Sequence, residues 1–387
     1  EISSTGSGSI TIAGTAARSL SRGAQINGSN ILAASGAISI STPNSALLTA
    51  TSTFGQRASS AVTASSSNIS FSAGSLIATS GQAASSGTLV VEPSGVASFS
   101  SASTWNAATS GFSSIRLGAA GTNQTQSQHG LTIGAAQSAA GPIDVYAGTL
   151  AITSNIATTG SNAPISFYTV TDFSNAANVT TSNSDVRIRA NRFNFTGTSI
   201  NAGTGAFELG STSAGRPIRL GADSGKAAAT TANDSLYVST GEFAKITSQF
   251  LRIGAANAGP ITLETPIVKT TAGSNTLKLT SASSVSNSVS GVVSPLNVTN
   301  LAVQAGGAIS LSSNSSATNN KLALNSTSSA SGAVQYSQLN GEFTPETVDG
   351  VNAVYGIAAG VRASNVPTSQ KSTVYQNATL SPNPTVQ

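Results

Sequence analysis

Cysteine and methionine are both missing from the 387 residues, and histidine and tryptophan each occur once. Without cysteine, neither a disulfide framework nor a thiolate metal site can form, so backbone hydrogen bonds and packing must hold the fold together. A single histidine cannot build a histidine-based metal cluster. We therefore expect no metal and no cofactor. Because Glu1 stands where a translated chain has methionine, we also expect a processed product or an excised region.

Charged residues are scarce as well, at 17 Lys and Arg against 13 Asp and Glu, or 8% of the chain. An average soluble domain has about 25%. A net charge of +4 carried by so few ions cannot form the dense basic patch that nucleic-acid binding uses. No apolar run approaches the roughly 20 residues that cross a bilayer. We expect no nucleic-acid partner and no membrane span.

A short triplet of apolar, variable and apolar residues recurs along the chain, each time followed by a small or polar turn. The triplets include Ile10/Ile12, Ile38/Ile40, Leu89/Val91, Ile115/Leu117, Leu131/Ile133, Ile143/Val145, Ile165/Phe167, Ile218/Leu220, Leu251/Ile253, Ile261/Leu263 and Leu301/Val303. A period of two places both apolar residues on one face of a strand. Such short strands suit coils that stack on their neighbours, at roughly 20 to 25 residues per coil and roughly 15 to 19 coils. The pattern predicts an all-β fold, a right-handed parallel β-helix (β-solenoid) shaped as an elongated rod.

Three longer motifs occur twice in the same order. Residues 115–119 (IRLGA) recur at 218–222, residues 131–136 recur with one change at 251–256, and Ala140-Gly-Pro-Ile143 recurs as Ala258-Gly-Pro-Ile261. The second copy has about 17 additional residues between its first two motifs, an insertion that a solenoid tolerates at a turn.

These repeats predict three regions. Residues 1–110 form Ser- and Ala-rich amino-terminal coils, and residues 111–327 form a central solenoid with modules 111–184 and 185–327. Residues 328–387 form a cap or interaction segment, which ends in the polar, proline-containing tail Ser381–Gln387. We expect the two ends of the chain to be where the rod joins other molecules.

Several of these segments also resemble a known family. Residues 250–254 (FLRIG), 259–263 (GPITL) and 300–311 resemble the repeats of filamentous-haemagglutinin-like bacterial proteins of the two-partner-secretion type, over about residues 111–360. Thr347-Val348-Asp349-Gly350 looks like the short motif that closes such a repeat. The resemblance implies a secreted Gram-negative surface protein with a β-helical shaft, exported through a partner pore and used in adhesion, biofilm formation or competition.

Candidate binding residues are the outward arginines. Alternation places Asp185, Arg187 and Arg189 on one face of a strand, close to Arg192. Arg116, Arg219 and Arg252 each lie between two apolar residues, so we expect them to point outward too. Such residues are most simply a solvated charged face. The other interpretation is contact with an anionic glycan or with a partner subunit.

The chain offers no convincing catalytic set. Glycan-cleaving β-helices need clustered carboxylates or an Arg or Lys base beside an acidic or metal site, and His129 stands alone in a turn. We therefore expect no enzyme, but a non-catalytic extracellular structural or adhesive protein of a bacterial surface. It would assemble end to end or side by side into filaments, or with other surface-protein subunits, because open solenoid ends expose unpaired strand edges. The alternative is a β-helix that binds or cleaves host or environmental glycans.

Overall fold

The fold is a parallel β-solenoid. A computed structural model describes residues 2–4, 7–14, 22–27, 30–33, 35–49, 53–55, 69–93, 102–118, 129–221, 234–269, 276–287, 296–313, 320–326, 334–338, 343–351 and 361–362. The described chain is nearly all parallel β structure with 2% helix, and it forms a solenoid of about 9 turns. The predicted fold class is confirmed, although the described turns are fewer than the triplet count predicts.

The chain divides into two compact units. Unit 1 comprises residues 1–189 and 194–202, and unit 2 comprises residues 190–193 and 203–387. The strands up to residue 201 are β1 (Ile2–Ser4), β2 (Ile10–Ala13), β3 (Arg22–Asn27), β4 (Asn30–Ala33), β5 (Ile38–Thr49), β6 (Thr53–Gly55), β7 (Ile69–Ala84), β8 (Thr88–Pro93), β9 (Ser103–Ser110), β10 (Ser114–Leu117), β11 (Gly130–Ile133), β12 (Gln137–Ala139), β13 (Ile143–Ala147), β14 (Thr149–Ile152), β15 (Ile156–Thr158), β16 (Ile165–Thr169), β17 (Asp172–Asn175), β18 (Val179–Thr180), β19 (Val186–Arg189), β20 (Arg192–Phe195) and β21 (Ile200–Asn201).

Three consecutive strands make one coil of unit 1 from β10 onwards. The first stack runs β8, β10, β13, β16, β19, with every neighbouring pair parallel. The second stack runs β9, β11, β14, β17. The third runs β12, β15, β18, β21. Each strand therefore lies directly over the equivalent strand of the next coil.

The apolar triplets fill the interior of these coils. In the first stack the inward pairs are in register and almost fully buried: Leu89/Val91, Ile115/Leu117, Ile143/Val145, Ile165/Phe167 and Val186/Ile188. Apolar side chains of successive coils stack on each other at the spacing of hydrogen-bonded strands, about 4.8 Å. The aliphatic core is therefore narrow and continuous. Burial of these side chains, at about 1.5–3 kcal/mol for each, is the main favourable term that stacking contributes.

A buried polar cluster around Trp105 interrupts the aliphatic core. Trp105 on β9 is fully buried, packs edge-on against Phe71 with ring centroids 5.5 Å apart, and donates its indole N–H to Gln137 Oε1 at 3.1 Å. The Gln137 amide nitrogen donates to the carbonyl oxygens of Ala107 and Ala135 at 2.9 and 2.8 Å. Each of these hydrogen-bonding groups is satisfied, so the cluster joins two coils without leaving a buried donor unpaired.

Hydroxyl and amide side chains connect the turns of successive coils. Asn155 Oδ1 accepts from the backbone N–H of Asn178, and Asn178 Oδ1 accepts from that of Ser199. The contacts between Arg116 and Glu92, Thr171 and Gly148, and Thr153 and Ile133 span 24, 23 and 20 residues. These separations lie within the predicted coil length.

Unit 2 repeats this design with longer coils and one short helix. Its elements are β22 (Ala206–Gly210), β23 (Ile218–Gly221), β24 (Leu236–Ser239), α1 (Thr240–Ala244), β25 (Ile246–Thr247), β26 (Phe250–Gly254), β27 (Ile261–Leu263), β28 (Ile267–Lys269), β29 (Thr276–Ser281), β30 (Val285–Asn287), β31 (Leu296–Val298), β32 (Asn300–Ala305), β33 (Ile309–Ser313), β34 (Asn320–Ser326), β35 (Val334–Gln338), β36 (Phe343–Pro345) and β37 (Val361–Arg362). One stack runs β22, β26, β29, β32, β34, β36. Another runs β24, β23, β27, β30, β33, β35, β37.

The first duplicated motif pairs with the third in the same way in both units. The backbone N–H of Ile115 donates to the carbonyl of Pro142 at 2.9 Å, and Ile218 donates to Pro260 at 2.8 Å. The fourth residue of the motif is in both copies a glycine with positive φ, 89° at Gly118 and 93° at Gly221. A Cβ at Gly118 would collide with the Tyr146 carbonyl oxygen, so the turn has space for glycine alone.

The described residues of the insertion, from 234 onwards, form a strand and a helix. Strand β24 pairs with β23 on the side opposite β27. Helix α1 follows at once, with Ser239 as its N-cap and Glu242 completing a capping box. The insertion therefore adds a strand to the stack without disturbing the register of Ile218 with Ile261.

Strand pairing can be compared with the limits of the three predicted regions. Leu89 pairs with Ile115, and Trp105 pairs with Ile133, so the stacking continues across residue 110. The division of the chain into two units falls at residues 190–203, and the module limit at 184/185 stays a prediction. Within 328–387, the described strands β35 to β37 extend the unit 2 stacks, and the tail Ser381–Gln387 lies outside the described residues.

Candidate functional site

On the outer face of the first stack of unit 1, long side chains lie in two rows. Within each row, every side chain is next to its partner on the neighbouring strand. On the first stack, Arg116, Asp144, Ser166 and Arg187 are successive partners in one outward row. Tyr146, Tyr168 and Arg189 are successive partners in the next outward row. We call these seven residues the arginine–tyrosine face.

The two tyrosines of this face stack on each other. Their ring centroids are 5.0 Å apart and the ring planes differ by 9°. Burial raises the pKa of Tyr146, and the negative charge of Asp144 and the neighbouring Tyr168 raise it further, while Arg116 opposes the shift. At neutral pH the phenol of Tyr146 is protonated, like that of any tyrosine, and it can both donate and accept a hydrogen bond.

Two of the arginines are already paired within unit 1. Arg116 Nη2 lies 2.6 Å from Glu92 Oε2, and Arg187 Nη2 lies 2.6 Å from Asp185 Oδ2. These side chains are about one-quarter to two-fifths exposed, so each pair contributes about 0.2–1 kcal/mol and is weakened by salt. The pairs orient the guanidinium groups more than they stabilise the fold.

Two charged groups of the face differ from these pairs. Arg189 Nη1 is buried and has no hydrogen-bond partner in the described part of the chain. Among the residues that the structure describes, Asp144 has neither an ion-pair nor a hydrogen-bond partner. The face therefore holds one guanidinium nitrogen and one carboxylate that no described residue hydrogen-bonds.

The other two faces of unit 1 are smoother in their central rows. The paired outward residues are Thr132, Ala151 and Ser174 on the second stack, and Ser138, Ala157 and Thr180 on the third. These six residues are neither charged nor aromatic. Among the paired central positions of the three stacks, the charged and aromatic side chains thus lie on the first stack, while the third row continues with Asn201.

A short segment closes over the outer face of unit 2. We call Glu346–Val351 the Asp349 clip. Val348 and Val351 exchange two backbone hydrogen bonds at 3.0 and 2.9 Å. Between them, Asp349 and Gly350 have φ of 45° and 75°. Positive φ at both central residues is the geometry for which Asp-Gly is preferred in tight hairpins, so the local sequence specifies this turn.

The carboxylate of Asp349 binds Arg252 of β26 through two hydrogen bonds. Arg252 Nε donates to Asp349 Oδ2 at 2.8 Å, and Nη2 donates to Oδ1 at 2.7 Å. Arg252 Nη1 donates to Glu208 at 2.8 Å, and Lys278 Nζ donates to the Asp349 carbonyl at 2.7 Å. The hydrogen bond to Asp349 is the chief cause that raises the pKa of Arg252, against the effect of burial. This network joins the clip to three neighbouring strands, β22, β26 and β29.

Valine side chains of the clip pack on alanines of the same outer face. Ala302 and Ala323 are fully buried beneath Val348 and Val351, which are themselves 5% and 2% exposed. These alanines continue the outward row that Lys278 occupies on β29. Alanine at these two positions leaves the space that the valines fill.

Arg219 lies on a different stack of unit 2. It forms an ion pair with Glu264 of the next coil and donates Nη1 to the Tyr237 hydroxyl at 3.1 Å. Its guanidinium lies 5.3 Å from the centre of the Tyr237 ring. Burial lowers the pKa of Arg219, but the hydrogen bond to Tyr237 and the charge of Glu264 outweigh it, so the net change is upward.

The predicted arginines all lie on half-buried outward positions, but the structure does not bring them to one site. Arg116, Arg187 and Arg189 share the arginine–tyrosine face, with Val186, Ile188 and Ala190 buried on the opposite side. Arg219 and Arg252 lie on two different stacks of unit 2. Arg192 begins β20. Contact of these residues with a glycan or partner stays a prediction.

Tyr146 and Tyr168 were not among the candidate residues, and Asp349 was named only within the motif of residues 347–350. The tyrosines had a visible signal, because each stands three residues after the first isoleucine of a triplet, Ile143 or Ile165. Asp349 had a local signal in its Asp-Gly turn, but nothing in the sequence indicated that its partner lies 97 residues earlier.

No family model, no curated protein and no solved structure matches this chain. Among the described residues, no group of three or more His, Cys, Asp or Glu could hold a metal ion. No helix in that part of the chain is long and apolar enough to cross a membrane.

Proposed function

We propose that this protein is a non-catalytic structural or adhesive β-solenoid of a bacterial surface, which works outside the cell and assembles into filaments. The proposal rests on one observation: the few charged residues form ion pairs between residues that are far apart in the sequence. Ion pairs of Arg116, Arg219 and Arg252 connect residues 24, 45 and 97 positions apart. These side chains hold coils together.

The stacked coils support self-association. Each described coil presents its neighbours with a complete row of parallel backbone donors and acceptors. A strand at the end of such a stack keeps one unpaired edge, which is a template for a further strand unless it is covered. A filamentous-haemagglutinin-like shaft, with the secretion route and the adhesion, biofilm or competition roles that the resemblance implies, fits this mode of assembly.

Electron microscopy and analytical ultracentrifugation of the purified, folded chain test the proposal. We expect filaments or a ladder of oligomers whose proportion rises with protein concentration. Circular dichroism of the same sample serves as the control that the β structure is intact. A monodisperse monomer at every concentration up to on the order of 1 mM would remove the filament part of the proposal.

A second function, glycan binding, has one specific observation in its favour. The stacked pair Tyr146 and Tyr168 lies on the same outer face as Arg187 and Arg189. Aromatic rings with adjacent charged donors are suited to sugars, because a ring offers an apolar surface and its hydroxyl a polar tip. Screening against neutral and acidic glycans tests binding, and release of reducing ends tests cleavage. Filament formation without glycan binding would favour the first proposal.

A further inference from the structure

We propose that Asp349-Gly350 is a latent modification site, at which the aspartate rearranges to isoaspartate when the Asp349 clip opens. Arg252 keeps the site unreactive while the clip is closed. Of the six aspartates in the chain, only Asp349 precedes a glycine. The site does not depend on filament assembly, and its reaction needs only water and the chain itself.

The reaction is a ring closure within the main chain. The Gly350 backbone nitrogen attacks Cγ of Asp349 and forms a C–N bond, and one carboxyl oxygen leaves as water with the amide proton and a proton from solvent. Water then opens the succinimide ring at either carbonyl. One opening returns aspartate, and the other gives isoaspartate, whose main chain runs through Cγ. Glycine has no Cβ to hinder its own nitrogen, so Asp-Gly is the least obstructed pair for this attack.

The fold itself requires this reactive pair. Val348 and Val351 exchange backbone hydrogen bonds across the turn, and both residues between them have positive φ, 45° at Asp349 and 75° at Gly350. Asn, Asp and Gly are the residues that adopt such a conformation most readily. Of these three, aspartate alone has a carboxylate that can pair with Arg252. The turn and the ion pair together therefore select Asp-Gly.

The closed clip withholds what the reaction needs. Both carboxylate oxygens of Asp349 accept hydrogen bonds from Arg252, at 2.8 and 2.7 Å, so the carboxylate is held against β26. The Asp349 carbonyl accepts a hydrogen bond from Lys278 Nζ at 2.7 Å, which fixes the peptide plane that contains the Gly350 nitrogen. The Asp349 side chain is only 8% exposed. Rearrangement therefore proceeds from the open clip, at a rate set by the fraction of molecules in which the clip is open.

Rearrangement makes the opening permanent. Isoaspartate adds one carbon to the main chain inside the turn and moves the free carboxylate onto Cα. The lengthened turn no longer has the two-residue geometry that pairs Val348 with Val351. The shortened carboxylate cannot make its paired contact with Arg252 while these valines cover Ala302 and Ala323. We therefore expect a converted clip to stay off the outer face of unit 2.

Ageing of the full, folded chain tests the proposal. The unchanged protein, Arg252→Gln and Lys321→Gln are kept near neutral pH below their melting temperatures, with circular dichroism to show that each is folded. Peptide mapping by mass spectrometry, in water labelled with heavy oxygen, locates isoaspartate at residues 349–350. The map separates this product from deamidation at the two Asn-Gly pairs of the sequence, residues 27–28 and 340–341. The chain unfolded in urea gives the rate without protection.

The expected rates differ between the two ion pairs of the clip. Arg252→Gln forms isoaspartate at residues 349–350 about tenfold faster or more than the unchanged protein, which corresponds to at least about 1.4 kcal/mol lost from the closed clip. Lys321→Gln breaks the exposed pair with Glu346 and changes the rate less than about threefold.

Gly350→Ala separates the chemistry from the opening. A Cβ at Gly350 has nothing within 4 Å, but φ of 75° strains any alanine there, so this change loosens the clip. The methyl group nevertheless hinders the attacking nitrogen. We expect Gly350→Ala to form isoaspartate more slowly than the glycine chain, both alone and combined with Arg252→Gln.

Repair of the modified site tests the permanent release. Protein that has been converted in dilute urea and returned to buffer should be cut faster by proteases at Glu346–Val351 than fresh protein. Treatment with an isoaspartate-repairing methyltransferase and its methyl donor should restore resistance. Converted protein that is as resistant as fresh protein would show that isoaspartate does not keep the clip open.

The rates can also overturn the proposal. If folded Arg252→Gln ages no faster than the unchanged protein, Arg252 does not protect the site. If the folded unchanged protein ages as fast as the chain in urea, the clip gives no protection. If even the unfolded chain forms no isoaspartate at residues 349–350, the pair is not a modification site. Arg252→Lys, which keeps the charge without the paired hydrogen bonds, replaces Arg252→Gln if that variant does not fold.

Discussion

Asp349 and Arg252 are 97 residues apart in the sequence, yet two hydrogen bonds of 2.7 and 2.8 Å join the carboxylate to the guanidinium. Asp349 exposes 8% of its side chain and Arg252 exposes 32%. Paired hydrogen bonds of this geometry are among the stronger polar contacts in proteins, and partial shielding from water preserves them against salt. The Asp349 clip therefore acts as an external staple on the stack that carries β26 and β29.

Removal of this staple should weaken unit 2. We expect Asp349→Asn to lower the free energy of unfolding by about 1–3 kcal/mol, because Arg252 loses a charged partner while it stays partly buried. Urea unfolding followed by circular dichroism measures the loss. Glu346→Gln is the matched control. It breaks the exposed pair with Lys321 and should cost less than about 1 kcal/mol. Equal losses in both variants would contradict the special role of Asp349.

Larger side chains under the clip should displace it without unfolding the solenoid. Ala323→Leu fills the space that Val348 and Val351 occupy, and overpacking of this kind costs about 1–3 kcal/mol. We expect faster proteolysis at Glu346–Val351 with the β signal in circular dichroism retained. Ala151→Leu, also outward but on the second stack of unit 1, is the control and should leave the proteolysis rate unchanged. A clip that is as resistant in Ala323→Leu as in the unchanged protein would show that these contacts do not hold it.

The sequence predicted the interior of the fold better than its exterior, for a physical reason. Inward positions such as Ile143 and Val145 are set by alternation within one strand, and this alternation is visible in the sequence. Outward partners such as Tyr146 and Tyr168 depend on which coil follows which, and on the number of residues that each turn inserts. The coil from Leu131 to Leu150 is shorter than the coil from Ile115 to Ile143, so no fixed period predicts the register. No periodic pattern in the sequence indicates where the Asp349 clip binds.

Tyr146 gives the face of unit 1 a measurable pH dependence. Its pKa in the folded chain is raised above the ordinary value of 10.0 by burial, by Asp144 and by Tyr168. The folded state thus holds its proton more tightly than the unfolded state does. The resulting contribution to stability is complete below pH 10 and is lost as the pH rises through the folded pKa.

Titration of tyrosinate absorbance, together with urea unfolding at several alkaline pH values, measures this effect. We expect the free energy of unfolding to fall more steeply above about pH 10 in the unchanged protein than in Tyr146→Phe, which cannot ionise there. Asp144→Asn should reduce the upward shift, because one of its causes is removed. Identical alkaline profiles for the unchanged protein and Tyr146→Phe would contradict the assignment.

The glycines that end the duplicated motifs should be far more sensitive to substitution than a glycine with a similar backbone conformation in open space. Gly118 has φ of 89° and no room for a Cβ beside Tyr146, whereas Gly215 has φ of 72° and nothing within 4 Å of a Cβ. Gly215→Ala should therefore cost only the conformational strain, about 1 kcal/mol. Gly118→Ala adds a collision with backbone of the next coil and should cost at least about 1–3 kcal/mol more, since the coil must shift and its core pairs with it. Thermal unfolding of the two variants side by side measures the difference. If both alanine variants melt at the same temperature, close stacking at Gly118 is not what keeps consecutive coils in register.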